Sequence, residues 1–142
     1  MYKVLMLVFC FFTLTACQSL PAKKDESLYK NLGELQGIEN IVDVFIYEIG
    51  ETEQVLHHFE STDIDRFREK QIEHICKLSG GPCKYTGDNM LEVHQGMNIT
   101  DIDFNAITNA LIRALDRSGV SVSDRNRLLA IIALMHSEVT YK

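Results

Sequence analysis

The chain has 142 residues, of which 46% are hydrophobic and 24% are charged, with only two prolines and eight glycines. That composition suits one compact domain and excludes a disordered, collagen-like or long repeat protein. Acidic residues outnumber basic ones 20 to 14, for a net charge of -6, so we expect no nucleic-acid partner, because phosphate contacts need clustered lysine and arginine.

The first residues have the pattern of a targeting signal. Lys3 precedes a short apolar run over residues 4–14 that cannot span a bilayer as a conventional transmembrane helix. The run leads into Leu14-Thr15-Ala16-Cys17, which resembles the lipobox of bacterial lipoproteins. The resemblance implies that residues 1–16 are a signal peptide and that Cys17 is lipidated. An ordinary secretory signal and an uncleaved anchor are the alternatives.

The residues after Cys17 predict where the protein is held. In lipoproteins an Asp at the next position tends to retain the chain at the inner membrane, so Gln18 implies an outer membrane lipoprotein that faces the periplasm of a Gram-negative bacterium. Residues 17–26 are polar and aperiodic, which predicts a lipidated Cys and a tether. The folded domain is therefore predicted over residues 27–142.

The first long helix is predicted by an apolar stripe. Its members recur three and four residues apart: Ile38, Ile41, Val42, Phe45 and Ile49. Gly37 stands just before the stripe and Gly50 just after it, so these glycines mark the expected start and end of the helix.

A second long helix is predicted from Thr62, with Asp65 three residues later as a capping pair, to the chain-breaking Gly80-Gly81-Pro82. A short helical turn over residues 89–95 follows, and Gly96 closes it.

Two further helices complete the chain. One begins at Thr100, with Asp103 as its capping partner, and ends near Gly119. The other begins near Ser121 and is apolar on most sides, which predicts that it lies at the centre of the domain. No segment alternates as a strand would, so the fold class is all-α.

Cys76 and Cys83 are separated by a segment that can reverse the chain, Ser79-Gly80-Gly81-Pro82. In an oxidising compartment two such cysteines can form a disulfide, which we predict for the mature protein. In the alternative, both thiols stay free and Cys76 packs within its helix as a small apolar side chain.

Two polar residues stand on otherwise apolar helix faces. Gln71 interrupts the stripe of the second helix, and a buried amide must find a polar partner in protein, water or ligand. His94 lies on the apolar face of the short helical turn, and a neutral imidazole is a common ligand of iron, copper and zinc. Each residue alone is more often structural.

Several motifs occur in the order and spacing of the group I truncated haemoglobins. Gly80-Gly81-Pro82, Tyr85-Thr86-Gly87 and Val93-His94-Gln95-Gly96 match that family's run into its proximal region, and Phe59 followed by Ser61-Thr62-Asp63 resembles the haem-packing Phe and the start of the distal helix. The resemblance covers the segment from Leu28 to Val139. It implies a truncated globin with a two-over-two helical sandwich around haem b.

The resemblance also implies roles for particular residues. His94 would be the proximal ligand of the haem iron, and Gln71 would donate a hydrogen bond to bound O₂. Lys70 would reach a haem propionate, with a solvated surface lysine as its alternative. The remaining haem contacts implied in this way are Phe59, Phe67, Met90 and Ile46, and for Phe67 plain core packing is an equal alternative.

The chain departs from the family in two places. The family usually places a Tyr after the Phe of its second helix, whereas here Ile46 follows Phe45 and Tyr47 comes one residue later. One residue is about 100° on a helix, so Tyr47 should point away from the distal pocket, and O₂ should be held less tightly. Glu34 stands where the family commonly has a second glycine.

Three more histidines are open to interpretation. His57 and His58 precede Phe59 and are expected to be a partly exposed loop pair, although a second haem or metal ligand is conceivable there. His74 lies one turn after Gln71, either in the pocket or at a helix interface.

The function expected from the resemblance is reversible binding of O₂, NO or CO at a five-coordinate haem iron, as in oxygen transport. A haem-free structural lipoprotein is one alternative. A second is an enzyme that removes NO or peroxide with an external electron donor, since the chain has no flavin or reductase module. A third is a metal binder that uses His57, His58 and His94.

Overall fold

The computed structural model describes residues 27–142, and within that range every regular element is helical. The all-α prediction is therefore confirmed for this part of the chain. The signal peptide, the lipidated Cys17 and the tether predicted for residues 1–26 lie outside the described residues. Between residues 27 and 142, no helix is both long enough and apolar enough to cross a membrane.

Seven α-helices and one 3₁₀ helix follow each other along the described chain. In order they are α1 (Ser27–Asn31), α2 (Glu34–Gly50), the 3₁₀ helix (Glu53–His58), α3 (Ile64–Leu78), α4 (Met90–His94), α5 (Asp101–Arg117), α6 (Val122–Ala133) and α7 (His136–Val139). Helix α2 packs against α3 and α5, and α5 packs against α6. Helices α2 and α3 form one pair and α5 and α6 form the other, which is the predicted two-over-two sandwich.

The core is centred on α2 rather than on the last long helix. The whole predicted stripe of α2 is buried: Ile38, Ile41, Val42, Phe45 and Ile49. The prediction that α6 is central is wrong, because Leu128 is its one fully buried apolar residue, and Leu134, which follows it, is 80% exposed. Part of the apolar surface of α6 faces a cavity instead of the core, since Ile132 lines that cavity.

A buried charge joins α2 to α5. Glu48 is only 2% exposed, and its carboxylate lies 2.5 Å from Arg113 Nε and 2.9 Å from Arg117 Nη1. A buried carboxylate needs such partners, because desolvation without them would cost several kcal/mol. This contact fixes α2 against α5 at a place where the apolar pattern gives no signal.

The start of α2 differs from the prediction. Gly37 lies inside the helix, which begins three residues earlier after Gly33, at φ 86°. Glu34 itself has φ 59°, in the left-handed region that favours glycine. Gly37 is needed for close packing, because a Cβ there would lie 2.0 Å from the carbonyl oxygen of Leu32.

The other predicted helix starts are confirmed or move by one residue. Thr100 caps α5 and forms a capping box with Asp103, and Ser121 caps α6. Helix α3 is capped by Asp63 instead of Thr62, because the Asp63 carboxylate accepts a hydrogen bond from the backbone N–H of Arg66 at 3.0 Å.

Two glycines of α2 should respond in opposite ways to alanine. Gly37→Ala should lower the free energy of unfolding by roughly 1–3 kcal/mol, the usual range for overpacking. Gly50→Ala should raise it by roughly 0.4–1 kcal/mol, because a Cβ at Gly50 meets nothing within 4 Å and alanine favours the helix. Urea denaturation of both variants measures the difference. Equal effects would contradict the close approach of the Leu32 carbonyl to Gly37.

Candidate functional site

A mostly apolar cavity of about 330 Å³ lies among the helices. Helix α3 and the segment before it contribute Phe59, Phe67, Gln71 and His74 to its wall. The chain around α4 contributes Met90, Val93, His94 and Met97, while α2, α5 and α6 close it with Phe45, Phe104, Ile107, Leu111 and Ile132. With His58 of the 3₁₀ helix and Val139 of α7, the cavity collects side chains from every helix after α1.

One ring nitrogen of His94, in the cavity wall, already has a hydrogen-bond partner. Its Nδ1 lies 2.7 Å from the backbone carbonyl oxygen of Met90, one turn earlier. Because a carbonyl only accepts, Nδ1 carries the proton and donates it. The Nε2 atom of the neutral ring then keeps its lone pair, which is the form that binds a metal.

A capping box stabilises the short helix that carries His94. Helix α4 has five residues and begins at a capping box, in which Asn89 accepts from the N–H of Glu92 and the Glu92 carboxylate accepts from the N–H of Asn89. Such a box satisfies two N–H groups that a short helix otherwise leaves unpaired. The predicted short turn at residues 89–95 is therefore a helix with its own cap.

Gln71 lines the same cavity from α3. Among residues 27–142, no other residue forms a hydrogen bond with its side-chain amide. The sequence predicts a polar partner for this amide, and none of the described residues provides one. The amide stays available to a molecule in the cavity.

Three of the predicted apolar contacts also line the cavity. Phe59 and Phe67 pack edge to face, with ring centroids 5.5 Å apart, and Met90 joins them from α4. The structure thus brings Phe59, Phe67, Gln71, Met90 and His94 together around one space.

Two predicted contacts lie elsewhere. Ile46 does not line the main cavity but a neighbouring apolar pocket behind Phe59 and Phe67. Lys70 does not line it either, since its ammonium donates to Glu73 at 3.2 Å and to Thr86 Oγ1 at 2.7 Å. Both side chains fall outside the cavity because neighbouring positions on a helix differ by about 100° in direction.

Tyr47 and His74 are the two residues whose direction the sequence left open. Tyr47 is 55% exposed and lies under the guanidinium of Arg117, as the helical register predicts. His74 faces the cavity and stacks against Tyr85, with centroids 4.9 Å apart. Burial lowers the pKa of His74 below its usual value, and nearby Lys77 and His94 lower it further. His74 is therefore a neutral imidazole at neutral pH.

The expectation of an exposed histidine pair holds for only one member. His57 is exposed, whereas the His58 side chain is 10% exposed, lines the cavity and lies 3.6 Å from the Asp103 carboxylate. Hydrogen bonds from the hydroxyl and N–H of Thr100 hold the pKa of Asp103 well below its usual range. The sequence missed His58 because the 3₁₀ helix before Phe59 has no clear apolar periodicity.

A loop joins the two halves of the cavity wall. Cys76 in α3 and Cys83 in the loop after it form a disulfide, with Cα atoms 5.8 Å apart. Thr86 donates its backbone N–H to Glu73 at 2.8 Å, which ties the same loop to α3 a second time. The segment that leads to α4 is thus fixed against α3.

The donor set fits a haem better than a bare metal ion. Within the described range, no group of three or more His, Cys, Asp or Glu side chains could hold a metal, so His57, His58 and His94 do not assemble into the alternative metal site. A porphyrin already supplies four iron ligands and needs an apolar cavity with one imidazole. His94 and its apolar surroundings meet that requirement.

Comparisons with known proteins give the same answer. Residues 27–141 match the family described as bacterial-like globin. The chain is 33% identical over 109 residues to a group 1 truncated hemoglobin of Tetrahymena pyriformis, covering 77% of this chain and 90% of that protein. It is 33% identical over 113 residues to the group 1 truncated hemoglobin GlbN of Mycolicibacterium paratuberculosis, covering 80% and 83%.

The fold agrees as well. The crystal structure of the Tetrahymena pyriformis truncated hemoglobin in its Fe(III) form superposes with a TM-score of 0.79 at 31% identity, covering 81% of this chain and 98% of that one. Sequence and helical arrangement together show that this chain belongs to the group 1 truncated haemoglobin family of bacterial-like globins.

Proposed function

We propose that the protein binds haem b in the cavity lined by His94 and Gln71. There it would reversibly bind a diatomic gas: O₂, NO or CO. One observation carries the proposal. His94 and the unpartnered amide of Gln71 line one apolar cavity from two different helices. A metal-binding nitrogen and a free hydrogen-bond donor are the two polar groups that such a function needs.

His94 would be the protein's ligand to the haem. Its Nδ1–H bond to the Met90 carbonyl fixes the ring orientation and leaves Nε2 for the iron. When bound, haem supplies an iron whose remaining coordination position is open to a diatomic molecule. Phe59, Phe67 and Met90 would pack on the porphyrin and exclude water from it.

Lys70 is the basic residue next to Gln71 that would hold a haem propionate. Its ammonium has three N–H donors, and these already meet Glu69, Glu73 and Thr86. Glu69 is 63% exposed, so its contact with Lys70 contributes least and is the easiest for a propionate to replace.

Gln71 would be the main hydrogen-bond donor to the gas. Its amide N–H groups favour O₂, which becomes polar when it binds, over CO, which stays a poor acceptor. Because Ile46 carries no hydroxyl and Tyr47 points to solvent, no phenol from α2 adds a second bond. We therefore expect weaker retention of O₂ than in a relative with that phenol. Turnover of NO or peroxide would need an external electron donor.

We also propose that the protein is a lipoprotein of the outer membrane, held through Cys17 and facing the periplasm. The lipobox-like residues before Cys17 support this location. The Cys76–Cys83 disulfide supports it independently, because disulfides persist in oxidising compartments and are rare in the cytosol.

Removing the proposed iron ligand should release haem. We expect His94→Ala to speed haem loss by at least roughly 100-fold, because it removes the one bond from protein to iron. The helices should persist, but haem should no longer raise the melting temperature as it does for the wild type. Transfer of haem to excess apomyoglobin, followed by absorbance, measures the rate.

The matched control is His57→Ala, which removes an exposed imidazole outside the cavity. Unchanged haem spectra in His94→Ala would assign the ligand to His74 or His58. A wild type that takes up no haem at all would support a haem-free structural role instead.

Gln71→Leu should speed O₂ release. The change keeps a similar volume but removes the donor, and a hydrogen bond of about 1.4 kcal/mol corresponds to a factor of ten, so we expect roughly 3- to 30-fold. CO release should change much less. Stopped-flow mixing measures both rates, with Gln36→Leu on the exposed surface of α2 as the matched control. If O₂ release does not change, His74 becomes the candidate donor.

Replacing the proposed lipidation site should free the protein from membranes. In a bacterial host, Cys17→Ser should move the protein from the membrane pellet to another fraction and change its electrophoretic mobility. Cys76→Ser is the control, because it also replaces a cysteine by serine and, although it breaks the disulfide with Cys83, it leaves the lipobox intact. A Cys17→Ser protein that stays in the pellet with unchanged mobility would refute the anchor.

A further inference from the structure

We propose that residues 136–142 form a strap that positions the His94 helix, with Tyr141 as its key positioning residue. The strap comprises α7 and the three residues after it. Its role for the iron ligand depends on the haem function proposed above, whereas its hold on α4 does not.

Helix α4 cannot keep its place unaided. It has five residues, none of which is buried, and an isolated helix of this length is unstable in water. It packs chiefly against α7. The position of His94 therefore depends on how firmly the strap is held.

Two backbone hydrogen bonds hold the strap to the segment directly after α4. The N–H of Tyr141 donates to the Ile99 carbonyl at 2.9 Å, and the N–H of Asn98 donates to the Lys142 carbonyl at 3.0 Å. The two bonds run in opposite directions between the same two segments. They place the strap beside the chain that leaves His94.

Asp101, at the start of α5, adds side-chain contacts to both ends of the strap. Its carboxylate lies 2.9 Å from His136 Nε2 and accepts a hydrogen bond from the Tyr141 hydroxyl at 3.2 Å. These groups are partly exposed, so each contact is weak. The backbone bonds therefore do most of the positioning.

The two residues that donate these backbone hydrogen bonds have strained backbone conformations. Asn98 and Tyr141 have φ of 49° and 55°, a region that residues other than glycine rarely adopt. Both residues belong to the two backbone bonds just described. Such conformations persist only where the surrounding contacts determine them.

The strap also shapes the cavity next to His94. Val139 of the strap and the preceding Met135 line the cavity together with Met97 and Ile99. Val139 and Ile99 are both 8% exposed. A shift of the strap would thus move part of the wall of the cavity that His94 also lines.

The experiment uses two substitutions at Tyr141 in the full chain. Proline cannot donate to Ile99 and cannot adopt a φ of 55°, so Tyr141→Pro should release the strap. Tyr141→Gly is the matched control, because it also removes the side chain but keeps the N–H donor and accepts that φ readily. Neither change removes a side chain that lines the cavity.

The first readout is amide hydrogen exchange in protein prepared without haem. The N–H groups of Val93 and Met97 report on α4, since they donate to Asn89 and His94 respectively. Tyr141→Pro should speed their exchange at least about tenfold, while buried amides of α2 stay unchanged and Tyr141→Gly stays near wild type.

Equal exchange in the proline and wild-type proteins would overturn the proposal. So would equal acceleration throughout the molecule, or fast exchange at Val93 and Met97 in the wild type. The second readout is the iron–histidine stretching band of the haem-loaded ferrous protein, which should shift or broaden only in Tyr141→Pro. If the wild type binds no haem, the proposed function is refuted. The hydrogen-exchange result would still test whether the strap positions α4.

Discussion

His94 is carried by a helix too short to stabilise itself, and much of the surrounding structure compensates for that. Helix α4 has five residues and buries none of them. Its start is held by the capping box of Asn89, and its His94 ring by the Met90 carbonyl. The rest of its support comes from the strap and from the loop that the Cys76–Cys83 disulfide fixes to α3. A residue proposed as an iron ligand on so short an element needs support from several directions.

The few polar groups of the cavity matter because their surroundings are apolar. Water screens them little, so a single donor has a larger effect on a bound molecule than it would at the surface. Gln71 is unpartnered among the described residues, and His74 is kept neutral by burial. Under the proposed gas-binding function, the lack of a phenol at Ile46 would leave ligand recognition to α3, whose Gln71 and His74 both line the cavity.

Helix positions and caps were largely predictable from the sequence because they depend on local chemistry. The capping box of Thr100 and the cap of Ser121 form within one turn, and the stripe of α2 repeats from each turn to the next. Errors arose where contacts outside the apolar pattern decided the outcome. Helix α2 begins at Glu34, ahead of its apolar stripe, and Gly37 inside it packs closely on the Leu32 carbonyl.

The all-α class, the helix order and the motifs around His94 and Gln71 follow from the sequence alone. Folding alone reveals that Glu48 is buried beside two arginines, that His58 lies near Asp103, and that most of α6 is only partly buried. The physical reason is that periodicity tells which face of a helix avoids water but not what lies against it. Partners for buried polar groups come from elements far apart in the chain, and folding alone brings them together.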